Sequence, residues 1–351
     1  MAYTTIDNPT DYFNTKLWTG NATDDTAITG VGFSPDWVWI KNRSTTDSHH
    51  TADSVIGAGY RLRTDTSGAL GTQADGVKSF DSDGITIGTT GSLNGSGNNI
   101  VGWFWRGSDS SAVSNTDGSI TSTVSANTTA GFSIVKYAGT GSNLTAGHGL
   151  GSVVKMFFVK ELDNANSWEV FHASEGASKN AQLNTTAAFE SQGSNRWNST
   201  APTSTTISIG TDSGVNRSSS NYIAYCFAEI KGYSKFGSYT GNGNANGKFV
   251  HTGFKPAFFM VKRTNSSGNP WLINDNKRDT FNFCRKNLSA NASDAEVDVT
   301  SESGTWDLLS NGVKMRNSGT SLNGNGDTYI YMAFAENPFV TAGTKAAGTA
   351  R

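Results

Sequence analysis

The chain has 351 residues, of which 35% are hydrophobic and 16% charged, with a formal net charge of −2. A near-neutral chain lacks the strongly basic surface that binding to nucleic acid or to an anionic membrane requires. Its 19 Phe, 10 Tyr and 9 Trp are too many aromatic residues for a disordered chain and can build compact cores.

The N-terminal segment Met1–Asp7 lacks the basic start and apolar centre of a signal peptide. No stretch approaches the roughly 18 apolar residues that a membrane-spanning helix needs. Cys226 and Cys284 stand alone, without the spacing of a disulfide framework or a metal motif. These features predict synthesis in a cytoplasm, with any extracellular role reached through lysis or assembly.

One strand pattern occurs three times along the chain. Each copy opens with an aromatic-x-Gly step and reaches a Lys that closes an apolar run. Gly and Lys are 21 residues apart every time, in the pairs Gly20/Lys41, Gly139/Lys160 and Gly241/Lys262. A closing strand follows, with Lys-to-Phe separations of 63, 67 and 72 residues. An identical offset in three copies predicts triplication of one structural unit.

The copies read as short strands separated by hairpin dipeptides such as Asp83-Gly84 and Asn311-Gly312, with no convincing helical period. The sequence therefore predicts an all-β fold, made of three tandem repeats of a β-sandwich-like module, for which a pseudo-threefold arrangement is one solution. The predicted parts are repeat one (1–109), a Ser/Thr/Asn-rich connector (110–130), repeat two (131–232), repeat three (233–340) and a flexible tail (341–351). The apolar runs before the three lysines predict central strands covered on both faces.

Several segments resemble a repeated β-domain family of unknown function found in virion proteins, of tail or fibre type, of marine tailed bacteriophages. The matching segments are Asp36–Arg43, Asn221–Glu229, Gly232–Gly243, Phe249–Phe258, Asp275–Asp279 and Tyr329–Phe339. The resemblance covers nearly the whole chain, although Val154 stands where the family pattern favours Pro. It implies a virion-associated protein and transfers no catalytic or binding residue.

His49, His50 and Asp53 are spaced closely enough to suggest a metal site. The corresponding places hold Trp168 and His172 in the second copy, and Trp271 and Asp275 in the third. A ligand set that changes between copies favours structural or surface roles over metal binding.

Other acidic residues suggest weaker sites. Asp81 and Asp83 hint at a calcium loop, but the 12-residue ligand pattern is absent, so turn formation is favoured and bound calcium is left open. Glu229 and Glu336 follow the closing strands of two copies, where duplication argues against a catalytic acid. No G-x-S-x-G motif occurs. We predict no catalytic residue, no cofactor and no metal site.

Three residues are candidates for exposed contacts. Trp197 and Trp306 lie in polar loops, where their rings could stack on sugars. Arg278 belongs to the charged run Asp275–Asp279, which indicates either a solvated loop or an inter-subunit contact.

The first functional hypothesis is a non-enzymatic tail-fibre or adhesin component on a phage virion, assisting host adsorption. The second is a capsid decoration protein on the outer shell, and the third a polysaccharide depolymerase. The expected partners are other virion proteins and a glycan or protein of the host surface, with no nucleic acid and no membrane insertion. We expect an oligomer at the virion surface, where three modules per chain favour multivalent contact.

Overall fold

Strands account for nearly all the regular structure of the computed structural model, which describes residues 3–299 and 305–341. The helices of these residues are a 3-10 turn, Pro9–Asp11, and two single turns, α1 (Gly91–Asn94) and α2 (Ser213–Asn216). The all-β prediction is confirmed. The predicted tail, 341–351, lies outside the described residues except for Thr341. Within the described ranges, no helix is long and apolar enough to cross a membrane.

The strands fall into three units that follow one another along the chain. Unit one contains β1 (Phe13–Thr19), β2 (Thr26–Ile28), β3 (Trp37–Asn42), β4 (His50–Asp53), β5 (Tyr60–Arg61), β6 (Gly71–Thr72), β7 (Val77–Asp81), β8 (Gly84–Ile87) and β9 (Asn99–Trp105). Unit two contains β10 (Val113–Asn115), β11 (Ser122–Asn127), β12 (Phe132–Ala138), β13 (Leu144–Gly147), β14 (Val154–Glu161), β15 (Glu169–His172), β16 (Lys179–Gln182), β17 (Glu190–Ser191), β18 (Thr206–Ile209) and β19 (Asn221–Ala228). Unit three contains β20 (Ser234–Thr240), β21 (Phe249–His251), β22 (Phe254–Arg263), β23 (Leu272–Asp275), β24 (Lys286–Ser289), β25 (Val297–Asp298), β26 (Trp306–Leu309), β27 (Gly312–Met315) and β28 (Thr328–Pro338).

Each unit has one large antiparallel sheet, and the three large sheets share a strand order. The common order is β1-β9-β3-β4 in unit one, β12-β19-β14-β15 in unit two and β20-β28-β22-β23 in unit three. A small sheet accompanies each large one: β2-β8-β7, β13-β18 and β21-β27-β26. The common order supports the triplication, which stays a prediction.

The inner faces of the large sheets meet in one central core. Aromatic rings from all three units pack there: Trp37 lies 4.5 Å from Tyr225, and Phe13 lies 5.0 Å from Phe334, between ring centroids. The outer faces cover three smaller apolar clusters, one for each unit. Strand β3 is buried along its whole length, so the prediction of central strands covered on both faces is confirmed. Burial of each large apolar side chain contributes about 1.5–3 kcal/mol.

Backbone hydrogen bonds join each unit to the next and the last unit back to the first. Equivalent loops donate to the second residue after each of the three lysines, always over 2.9 Å: Leu70 N–H to Leu162 O, Phe189 N–H to Thr264 O and Glu296 N–H to Arg43 O. The same loops accept from equivalent rings: Trp168 Nε1 donates to Arg63 O, Trp271 Nε1 donates to Gln182 O, and His49 Nε2 lies 3.0 Å from Ser289 O. The units therefore form a closed ring.

The aromatic-x-Gly step ties the start of each unit to the turn before its closing strand. Trp18, Tyr137 and Tyr239 donate to the backbone carbonyls of Leu93, Val215 and Leu322, respectively. The following glycine must lack a side chain, because a Cβ at Gly139 would lie 2.2 Å from the carbonyl oxygen of Arg217.

Residues 110–130, predicted as a connector, contain the paired strands β10 and β11, which extend the large sheet of unit two. Val124 explains the pairing, because its side chain is buried in the outer cluster of that unit. A Ser/Thr/Asn-rich composition concealed this contribution, since Ser and Thr also occupy the exposed positions of strands.

The closing strand of unit one is offset by one residue from the predicted alignment. Opposite Trp37 lies Trp105, whereas Phe227 lies opposite Met156 and Phe334 opposite Phe258. Trp105 is therefore the inward counterpart of Phe227 and Phe334. The predicted counterpart, Phe104, which lies 63 residues after Lys41, is wrong. Because strand side chains alternate between faces, Phe104 points into the outer cluster instead.

Candidate contact surface

Trp197 is buried, with 1% of its surface accessible, so its predicted exposure is wrong. Its indole Nε1 donates to the carbonyl oxygen of Lys179 over 3.1 Å, and its ring meets Phe157 edge-on at 4.7 Å. The surrounding turn is polar, but the indole ring lies under this turn and packs in the outer cluster of unit two.

Trp306 is also buried, with 0% accessible surface, which makes its predicted exposure wrong as well. It begins β26, pairs with Met315 and packs edge-on against Phe259 at 5.7 Å. Strand alternation directs the ring inward although its sequence neighbours are polar.

Arg278 is a buried ion-pair residue and not a surface contact. Its side chain is 0% exposed and donates to Asp275 over 2.6 Å and to Glu296 over 3.1 Å. Glu296 also pairs with Arg43 of unit one, and Asp275 accepts a hydrogen bond from Trp103, which is likewise in unit one. Arg278 therefore stabilises the contact between units three and one within the chain.

His49 and Asp53, two residues of the suggested metal site, carry structural hydrogen bonds. His49 Nδ1 accepts from Trp39 Nε1 over 2.8 Å, and burial lowers the pKa of His49 to about 3. Asp53 accepts from the Tyr225 hydroxyl over 2.7 Å, and burial raises its pKa to about 6. Neither ring nitrogen of His50 has a hydrogen-bond partner among the described residues, and His50 lies beside Arg61 in a cleft that His49 also lines. Across residues 3–299 and 305–341, no group of three His, Cys, Asp or Glu side chains is arranged to hold a metal ion.

Asp81 and Asp83 stabilise the β7–β8 hairpin and its neighbours. Asp81 accepts from the hydroxyls of Ser79 and Thr86, and Asp83 accepts from the backbone N–H groups of Gly30 and Gly32. These bonds match the predicted turn role.

Glu229 and Glu336 lie beside lysines. Glu229 pairs with Lys235, and Glu336 pairs with Lys255, each over 3.2 Å. Both carboxylates thus serve local ion pairs near the ends of their closing strands.

Two of the three buried lysines, Lys160 and Lys262, join adjacent units, a role that the sequence pattern did not indicate. Lys41 Nζ donates instead to Asn42 O and Thr45 O within unit one. Lys160 Nζ donates to Glu161 O and to Ser67 O of unit one, and Lys262 Nζ donates to Arg263 O and to Thr186 O of unit two. Burial lowers the pKa of each lysine, Lys41 included, to about 8.

Unit three differs from the others in a longer loop after its fourth sheet strand. Strand register places six residues in this loop in units one and two (54–59 and 173–178) and ten in unit three (276–285). The extra length includes Thr280-Phe281-Asn282-Phe283, in which Phe281 is 79% exposed and Phe283 46%. We call residues 280–283 the aromatic loop. An apolar loop tip is costly to expose to water and is typical of a binding surface.

The aromatic loop is fixed to β26 on both sides of Phe283. The Asn282 side chain donates to Leu308 O and accepts from Leu308 N, each over 3.0 Å. Cys284 N donates to Trp306 O over 2.7 Å. Phe283 is thus anchored on both sides and Phe281 on one, which reduces the entropy lost on binding.

An open cleft of about 510 Å³ lies beside the aromatic loop, lined by Ala245, Asn246, Asn282, Phe283, Thr305, Asp307 and Arg316. One phenyl ring, two amides and the Arg316–Asp307 ion pair combine an apolar face with several hydrogen-bonding groups. Such a surface suits a sugar or a polar protein loop.

The sequence model of a family described only as a domain of unknown function, DUF7483, matches residues 8–338. The chain belongs to the DUF7483 family. No curated protein and no solved structure shows significant similarity to it. The DUF7483 match spans all three units, so the family corresponds to the whole ring and not to one repeat.

Proposed function

We propose that this DUF7483 protein is a non-enzymatic surface component of a tailed-phage virion, of tail-fibre or adhesin type, that contacts the host through unit three. The observation that carries the proposal is the anchored aromatic loop, with Phe281 79% exposed. The phage assignment is supported by the resemblance of segments such as Asn221–Glu229 to virion proteins.

The chemistry of the candidate residues supports a passive role. His49 and Asp53 are buried and hydrogen-bonded within the ring, and Glu229 and Glu336 pair with lysines. A fold whose cohesion comes from aromatic burial and from buried ion pairs depends little on exposed ion pairs, which salt screens. This suits a surface protein exposed to seawater.

The expected partners are other virion proteins, which would hold the chain in an oligomer at the virion surface, and a glycan or protein of the host. Several copies presenting the aromatic loop would combine weak contacts into useful avidity. A net charge of −2 favours neither nucleic acid nor anionic membrane as the target.

The test is adsorption competition with purified protein. Replacing both phenylalanines (F281S/F283S) should weaken host-cell binding at least about tenfold, because each buried Phe contributes about 1.5–3 kcal/mol. Phe249 is 38% exposed in the same unit, so F249S is the matched control and should bind as the wild type does.

Two results would contradict the proposal. Unchanged host binding by F281S/F283S would exclude the aromatic loop. No competition at saturating wild-type protein, together with immunogold labelling of phage heads, would favour capsid decoration.

A further inference from the structure

A polar slot on the outer face of the large sheet occurs in units one and two with different contents. Strand register matches His50, Arg61 and Arg63 of unit one with Glu169, Asn180 and Gln182 of unit two. The two sets therefore occupy equivalent places, and one chain provides an internal comparison of the same slot.

In unit two the slot is filled by a carboxylate. Glu169 is buried and accepts from Asn180 Nδ2 over 2.6 Å and from Gln182 Nε2 over 3.4 Å. Arg196 Nε lies 3.2 Å from the same carboxylate and adds an ion pair.

In unit one a histidine and two arginines take these places, and the place of Glu169 holds His50 instead of a carboxylate. His50 is 2% exposed, and neither ring nitrogen has a hydrogen-bond partner among the described residues. Within the same described ranges, Arg61 and Arg63 form no ion pair within 4.0 Å, and Asp75 acts on Arg61 only at longer range. Burial lowers the pKa of His50 to about 3, and the positive charges of both arginines add to this effect.

The three side chains line an open cleft of about 390 Å³. Thr90 and Ser92 add hydroxyl groups to its wall. Asp47 also lines the cleft, but its carboxylate already accepts from Asn42 and Thr45. The cleft thus offers two guanidinium groups, a neutral imidazole and hydroxyls to an acceptor from outside.

We propose that this cleft of unit one binds a carboxylate group of an external ligand, such as the uronate of an acidic polysaccharide, in the place that Glu169 fills in unit two. Arg61 and Arg63 would supply charge-assisted hydrogen bonds, and the N–H of neutral His50 would donate a further one. The cleft and the aromatic loop lie in different units, so either can fail without the other.

The test is a titration of the full chain with glucuronate, followed through the His50 imidazole resonances by NMR. Saturable shifts with glucuronate and acetate, but not with N-acetylglucosamine, are expected. Binding of sulfate or phosphate without binding of either carboxylate would overturn the assignment of ligand class, and no saturable shift with any anion would overturn the site.

Two variants locate the binding. Arg63→Gln introduces the residue of unit two and should weaken glucuronate binding at least about tenfold, through loss of a charge-assisted bond. His50→Glu brings the carboxylate of unit two into the cleft, so it should abolish glucuronate binding, by calorimetry, and raise Tm. His251→Glu, at an exposed histidine of unit three, is the control and should leave binding unchanged. Undiminished binding in R63Q would refute the proposal even if H50E failed to fold.

Discussion

Replacing Arg278 with Ala should be among the most damaging single substitutions in the chain. Four hydrogen bonds would be lost: those to Asp275 and Glu296, at 2.6 and 3.1 Å, and those to the carbonyl oxygens of Lys286 and Ile273, at 2.7 and 3.1 Å. Asp275 would remain fully buried with its charge uncompensated. Removing one partner of a buried ion pair costs about 3–5 kcal/mol, a large part of a typical unfolding free energy.

The measurement is urea unfolding followed by tryptophan fluorescence. Arg285→Ala is the matched control, since Arg285 pairs with Asp298 over 2.9 Å while both side chains are 46% exposed. Such a surface pair contributes about 0–1 kcal/mol. If R278A lost no more stability than R285A, Arg278 would not stabilise the contact between units three and one, and the reasoning from burial would be refuted.

Two further predictions concern buried residues. Trp197→Ala should cost about 3–5 kcal/mol of unfolding free energy by chemical denaturation, and a cost below about 1 kcal/mol would restore the exposed interpretation. Burial lowers the pKa of His49 and His50 to about 3 and the pKa of His172 to about 4. Below about pH 6.5, the ordinary pKa of histidine, the unfolded chain therefore binds more protons than the folded chain. Stability should therefore fall as the pH drops from 6.5 to 4, by up to about 1.4 kcal/mol per unit for each histidine, opposed in part by Asp53, whose pKa is raised to about 6. A Tm at pH 4.5 equal to that at pH 7.5 would contradict this, and His172→Asn should reduce the drop.

Features that repeat in the sequence were predicted well. The 21-residue spacing from Gly139 to Lys160 recurs because both ends are fixed: the glycine lies against a carbonyl, and the lysine is buried between units. The apolar runs before the lysines identified the central strands because both faces of these strands are covered.

The candidate site was predicted poorly, because exposure depends on contacts between residues far apart in sequence. Polar neighbours suggested that Trp197 and Trp306 face solvent, but turn and strand geometry direct both rings inward. The segment around Arg278 has the composition of a surface loop. Its partner Glu296, and Arg43 that pairs with Glu296, belong to segments distant in sequence. The aromatic loop could have been recognised as a four-residue insertion, but only once strand register had aligned the three units.

The central core has a consequence for synthesis on the ribosome. Units one and two emerge first, and each presents an aromatic inner face, including Trp37 and Tyr225, that unit three helps to cover. The last aromatic residue of the central core is Phe334, so the nascent chain must keep those faces from aggregating until unit three has been translated. Chaperone holding during elongation would meet this need.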